Sequence, residues 1–374
     1  MKRPGSPRSS VVAVFFCLWS MVGFAQVPAA REDTIEFKAV SLAGYPFVFY
    51  SPETRFAFGG ALVGTYRGNA DTESRLSNAM LSAYYSVKSQ YQIHLGPEFF
   101  FEGGKYYLTG FIEYARIVDK FWGIGNATPD IPDPDFIRAT FAFNVDFEFL
   151  LGAGLNLGVN YDLNRTTVTD KQANPFLLHD AVAGSNGGLS SGVGLVFSYD
   201  GRDNVFWPLK GGFYKLSTLS CEQWLGSDFT FSRIIADIRQ YAGLGSAGVL
   251  AFNLYGSRAA ATTPFYQMPL LGGGYMMRGY YEGRFRDAYY FSGQAEYRIM
   301  FTKRWGAVAF LGAGEVGPAL SSLQLTTLKP TYGFGVRFAL DPRERLNVRM
   351  DISFGSDTDG TLLHGLYFNA KEAF

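Results

Sequence analysis

The chain has 374 residues, and its 33 Lys and Arg balance 33 Asp and Glu, so the formal net charge is zero. Such neutrality excludes a basic surface for nucleic acid and an acidic tail for a basic partner. Aromatic residues at 17% and 44 glycines suit many strands joined by tight turns, with rings at an interface, better than a helical domain.

Residues 1–25 read as an export signal: Lys2, Arg3 and Arg8 precede an apolar run from Val11 to Phe24, with a small-residue cut after Ala25. Phe15 and Phe16 stand where a lipoprotein box before Cys17 would need small residues, so no lipid anchor is expected. That leaves Cys221 alone, which excludes an internal disulfide. Residues 26–36 form a short periplasmic linker, and 37–374 the barrel. No later stretch approaches the ~18 to 20 apolar residues of a membrane helix. An exported chain of this kind is a secreted all-β protein or an outer-membrane barrel.

Phe37–Tyr50 has strand-type residues but carries Pro46, which fits an edge or a strand start. Strands are then expected near Arg55–Tyr66, Leu76–Val87, Tyr91–Phe101 and Lys105–Arg116. In Thr140–Phe149, Phe141, Phe143, Val145, Phe147 and Phe149 share one face and Asn144, Asp146 and Glu148 the other. The same alternation runs through Leu155–Asn164 and Arg345–Phe354. A soluble β-sandwich also alternates. Against it stand polar faces of Asn, Asp, Glu and Arg recurring on strands of roughly ten residues, and aromatics near strand ends, such as Tyr106, Tyr289 and Trp305. The expected fold is all-β: a transmembrane antiparallel β-barrel of about sixteen strands, or fourteen if one hairpin is misplaced.

Short turns at Leu151-Gly152, Thr302–Arg304 and Asp341–Arg343 alternate with long loops at Ile117–Asp135, Arg165–Gly187, Ala259–Arg286 and Gly317–Pro330. Outer-membrane barrels keep the short turns on the periplasmic side, which places all four long loops outside the cell. The loop from Gly272, read GGGYMMRGYYEGRFRD, is expected to fold into the lumen. Gly273, Gly274 and Gly279 allow close packing and sharp turning, and the planar guanidinium of Arg278 suits a carboxylate in a confined site. Glu296 shares a polar face with Gln294 and Arg298 and is the first candidate partner, with Asp351 and Glu315 as alternatives.

Three stretches resemble the outer-membrane barrel-assembly superfamily, the bacterial surface antigen family that includes BamA and TamA. Arg278-Gly279-Tyr280 is similar to that family's Val-Arg-Gly-Phe/Tyr signature, with Met277 replacing Val. Asp200-Gly201-Arg202-Asp203, with Pro208 and Gly211, is similar to its turn before a strand. The plainer reading of this turn is a charged periplasmic connection. Arg349-Met350-Asp351, followed by a last strand ending in Phe374, is similar to the terminal strand signal read by barrel-insertion machinery. Phe121–Asn126 is also similar to the family, its plainer reading being a loop that packs aromatics over the barrel mouth. One departure is Phe310-Leu311-Gly312-Ala313-Gly314, where the family has an aspartate and this chain Gly312.

The resemblance implies an integral barrel of the bacterial outer membrane that stands alone, without periplasmic repeat domains, and works in protein assembly or translocation. Its partners would be outer-membrane lipids, a client outer-membrane or surface protein, a second copy at a seam between first and last strands, and the machinery that inserts it. The competing reading is a passive pore or structural surface barrel. No cofactor or metal is expected, since His94, His179 and His364 lack metal spacing and adjoin no recognisable nucleophile. Asp146, Glu148 and Asp162 read more readily as channel lining than as a catalytic pair, so no enzymatic activity is expected.

Overall fold

A computed structural model of the protein describes residues 40–66, 77–132, 134–178, 182–245, 248–342, 345–357 and 360–374. The expected signal, the linker and His179 lie outside the described residues. No described helix is long and apolar enough to cross a membrane, which says nothing of a β-barrel.

Sixteen strands form one antiparallel sheet in chain order. The first half comprises β1 (Val40–Ser51), β2 (Arg55–Tyr66), β3 (Ser77–Ser86), β4 (Tyr91–Phe101), β5 (Tyr106–Lys120), β6 (Asp135–Gly152), β7 (Leu155–Thr169) and β8 (Gly187–Asp200). The second comprises β9 (Gly211–Cys221), β10 (Phe231–Gly243), β11 (Gly248–Ala259), β14 (Tyr289–Met300), β15 (Trp305–Gly317), β16 (Lys329–Asp341), β17 (Leu346–Ser356) and β18 (Leu362–Ala370). Between β11 and β14, β12 (Leu270–Leu271) and β13 (Phe285–Arg286) pair with each other, outside the main sheet. The sheet curls into a nearly closed barrel. Every sequential pair in it is laddered, whereas β1 and β18, at the two ends of the order, lie side by side with no ladder among the described residues.

The sixteen strands match the expected count. Strand lengths do not match the uniform ten or so residues: β5, β6 and β7 have 15, 18 and 15. The ladders run on through Ile117–Lys120 and Arg165–Thr169, inside stretches expected to be loop, because the main chain keeps pairing with Asp135–Arg138 and Ile137–Phe141 whatever side chains it carries. Pro46 sits inside β1, not at its start. An edge strand tolerates it, because only one side must be hydrogen-bonded.

Burial is inverted relative to a soluble protein. On β17, Asn347, Arg349, Asp351 and Ser353 are buried while Met350 is 40% exposed. On β14, Ser292, Gln294, Glu296 and Arg298 are buried while Phe291 and Tyr297 are exposed. Period-two alternation sorts side chains onto two faces, and here the polar face is the enclosed one.

Antiparallel succession also sorts the connections. The turns after β6, β8, β10, β14 and β16, with the segment after β18, fall at one end; the 121–134, 170–186 and 260–288 loops fall at the other.

Candidate functional site

The 260–288 loop doubles back on itself through the β12–β13 pair. Gly273 N–H donates to Tyr280 O at 3.1 Å, and Gly283 N–H to Leu271 O at 3.1 Å. Gly279 holds φ +109°, and a Cβ there would lie 2.7 Å from the Phe354 carbonyl carbon, so only glycine fits. Arg278 projects from this tip and is fully buried.

Arg278 lies between two carboxylates and a ring. Its Nη1 donates to Asp351 at 2.7 Å, its Nη2 to Glu296, and its guanidinium carbon stands 3.6 Å from the Phe310 centroid. Burial by itself would lower the pKa of Arg278, but Glu296 and Asp351 outweigh it and raise it, so the side chain stays cationic. The backbone is also tied: Thr331 donates to Arg278 O, Gly279 N–H to the Tyr367 hydroxyl at 3.2 Å, and Met277 N–H to Gln294 at 3.2 Å. The Tyr280 hydroxyl donates to Pro330 O at 2.8 Å and accepts from Ser356 N–H at 2.9 Å. The tip thus touches β14, β15, β16, β17 and β18.

Three further arginines extend the network. Arg349 donates to Asp351 at 2.8 Å and to Gly274 O at 2.6 Å. Arg337 donates to Asp351 at 2.6 Å and to Glu372 at 2.8 Å. Arg298 donates to Glu296 at 2.8 Å and to Phe374 O at 2.8 Å. Each carboxylate is shared, which is what a buried cluster of guanidinium forks requires.

Glu315 is not a partner of Arg278. It accepts from Thr327 at 2.5 Å and from Gln324 N–H and Asn126, because it lies near the end of β15 where the next connection folds over it. Gly312 cannot carry the missing aspartate, since a Cβ there would stand 2.8 Å from Gly293 O and 2.9 Å from Gln294 Cγ. Arg278 instead meets Glu296, one strand away from Gly312, and Asp351, two strands away.

The base of the loop packs on the 121–134 connection. Arg284 donates to Asp357 at 2.8 Å and to Thr128 O at 3.0 Å, with its guanidinium carbon 5.1 Å from the Trp122 ring. Phe121, Phe136 and Phe265 form an apolar cluster beside Arg286. Glu282 faces a cavity of about 240 Å³, lined also by Arg233, Tyr255 and Tyr290. Its N–H donates to Glu53 at 3.1 Å. Its side chain is exposed on the wall of that cavity, where partial loss of hydration, followed by the nearby Glu53 and Asp119 carboxylates, pushes its carboxyl up to about 7.

The β8–β9 turn is more than a charged surface turn. Asp200 pairs with Arg202 at 2.9 Å, and Asp203 caps Leu209 and Lys210 N–H while accepting from Arg345 at 2.8 Å. Gly211 holds φ +97° with no room for a Cβ, which would lie 2.0 Å from Gly201 O. Pro208 follows Trp207, which is buried against Val308 and Phe310 on β15. Phe310 therefore carries the arginine of one connection on its ring and meets a tryptophan from the connection at the opposite end.

The expected last strand ends early. β18 stops at Ala370, Lys371 takes φ 66°, and Phe374 is buried away from the wall's edge against Tyr241, Val249 and Ala251. Beyond the end of β18, Glu372 pairs with Arg337 at 2.8 Å.

Asp146 pairs with Lys215 at 2.6 Å, Asp162 accepts from Asn144 at 3.3 Å, and Glu148 accepts from Ser198. His94 meets Glu113 at 3.2 Å. No metal-holding cluster of His, Cys, Asp or Glu is present among the described residues. Trp207, Arg337 and Glu372 were missed from sequence; for Arg337 the alternation Gly335-Val336-Arg337-Phe338 was an available signal.

The Omp85 superfamily domain matches residues 86–358. Among solved structures, BamA from Haemophilus ducreyi lacking POTRA domains 1-3 is similar at TM-score 0.61 and 12% identity, over 89% of this chain and 70% of that chain. CdiB from Acinetobacter baumannii is similar at TM-score 0.58 and 12% identity, over 88% of this chain and 60% of that one. CdiB from Escherichia coli gives TM-score 0.54 and 11% identity, over 91% and 66%. These likenesses concern the fold. No curated protein matches the chain in sequence.

Proposed function

The chain belongs to the Omp85 superfamily, and we propose that it spans the bacterial outer membrane and helps to assemble or translocate a client polypeptide there. The observation that carries this reading is the seam. Every sequential pair of the sixteen strands is laddered, whereas β1 and β18 meet without a ladder among the described residues. Unpaired strand edges are templates for another strand, so the client or a second copy would add there.

Membrane residence is supported by the outward apolar face. Residues such as Leu195, Leu311 and Phe334 are more than half exposed, and each withholds about 1.5–3 kcal/mol that burial in an apolar medium would supply. In this reading the long connections are external and the Arg278 tip lies in the lumen, bracing the strands of the second half. Obstruction of the interior by Arg278, Trp207 and Phe374 disfavours a passive pore. Lipids would be the permanent partners, and the insertion machinery a transient one.

The test is insertion of an outer-membrane client into liposomes. Liposomes carrying the barrel should insert the client faster than empty ones, and Arg278→Ala should lower that rate. Insertion no faster than in empty liposomes, together with steady conductance in planar bilayers, would overturn the reading in favour of a pore.

A further inference from the structure

Lys371 turns the chain off β18, with its N–H on Asn347 O at 3.0 Å. The next three residues are seated on the buried face by separate contacts. Glu372 receives Arg337 Nε at 2.8 Å and Asn347 Nδ2 at 3.2 Å. Phe374 O receives Arg298 Nη2 at 2.8 Å, and the Phe374 centroid lies 5.0 Å from that guanidinium. Ala373 and Phe374 pack on Tyr241, Val249 and Ala251. Glu372, Ala373 and Phe374 are 7%, 7% and 6% exposed. β14 to β17 separate β18 from β11 in the sheet, so the segment crosses the barrel instead of extending its wall.

We propose that Arg298, Arg337, Asn347 and the Tyr241–Ala251 patch form a receptor for a short acidic–aromatic peptide segment, filled here by residues 372–374, and that this occupancy closes the short-turn end of the barrel. The seat has a carboxylate position, a main-chain oxygen position and an aromatic position, which is how an extended peptide is recognised. It stays assembled when the segment leaves. Arg298 keeps Glu296 at 2.8 Å, and Arg337 keeps Asp351 at 2.6 Å. The β8–β9 turn forms a lid: the Trp207 ring lies 5.8 Å from the Arg298 guanidinium and the Phe206 ring 5.5 Å from Lys371 Nζ. Since the segment continues directly from β18, emptying the seat frees the strand that borders the seam.

This inference rests on the barrel fold, not on the assembly activity, and its test uses no client. A barrel lacking residues 372–374, folded in detergent, is titrated with the tetrapeptide Lys-Glu-Ala-Phe and followed by tryptophan fluorescence. Saturable uptake is expected, with none by the full chain. Lys-Gln-Ala-Phe and Lys-Glu-Ala-Ala should bind more weakly by about tenfold or more. Equal uptake by the full chain, equal affinity for all three peptides, or no uptake overturns the proposal. If the shortened chain does not fold, the full chain with Ala251→Cys and Ala373→Cys decides. A disulfide formed in the folded barrel on oxidation, and lost when Glu372→Gln and Phe374→Ala are added, supports the seat; absence of the disulfide overturns it.

Discussion

Arg278 donates to Asp351 at 2.7 Å across 73 residues of chain, joining a loop tip to the middle of a strand. Asp351 also receives Arg337 and Arg349, so one carboxylate fixes three cations from three different elements. The loop is thereby registered against the wall by charge geometry, with the Phe310 ring beneath the guanidinium.

Arg278→Ala leaves Glu296 and Asp351 with fewer cations in a buried site. The expected loss is about 3–5 kcal/mol, the usual cost of removing one partner from a buried ion cluster. Urea unfolding in detergent micelles measures it. Arg278→Lys keeps the charge without the planar fork and should recover only part of the loss.

Gly279→Ala should also destabilise, although it touches no charge. The residue holds φ +109°, and the new Cβ would press on Phe354 main chain at 2.7 Å. A cost of about 1–3 kcal/mol is expected for such forced backbone. A melting midpoint equal to that of the unaltered barrel would contradict the geometry described.

Asp203 and Arg345 join the β8–β9 and β16–β17 turns at 2.8 Å. Although partial burial opposes it, the Asp203 carboxyl is held below its usual range by Arg345 and by the Leu209 and Lys210 N–H groups. A carboxylate with depressed folded pKa stabilises above its unfolded value, about 3.9, and that contribution is lost as pH falls through the folded pKa. Arg345 is 37% exposed, so screening limits the pair to about 1 kcal/mol. Arg345→Ala should raise protease cleavage in residues 201–210 at pH 7, and the difference from the unaltered chain should shrink below pH 4.

Glu282 has the opposite sign. Its carboxyl is pushed up to about 7, against an unfolded value near 4.3. Its contribution is fully present below about pH 4.3 and is lost as pH rises through about 7. Spin labels at residues 275 and 325 should report a looser 260–288 loop at pH 8 than at pH 5. Glu282→Gln should abolish that difference, and an unchanged pH response would assign the transition to another group.

The all-β class, the sixteen strands and the alternation of short and long connections were legible in the chain because they depend on neighbours two residues apart. Phe141 to Phe149 declares its apolar face without reference to anything distant. The 201–210 turn was not legible in the same way. Its Asp and Arg residues describe a local charged turn, whereas the buried position of Trp207 depends on Val308 and Phe310, a hundred residues later.

Local periodicity thus determined that this chain makes strands with one polar and one apolar face, and strand length together with the expected export signal made a barrel the consistent closure. Only the tertiary structure decided which polar groups meet. The sequence favours Glu296, on a polar face with Gln294 and Arg298, and leaves Asp351 and Glu315 as alternatives. Barrel curvature and strand register bring Glu296 and Asp351 within reach of Arg278 and carry Glu315 to the Thr327 connection. Likewise Phe374 reads as the end of a strand, but Arg337 and Arg298 draw its segment across to Tyr241. Side-chain direction repeats every two residues and is written locally, while pairing across a barrel is set by closure and shear, to which every strand contributes.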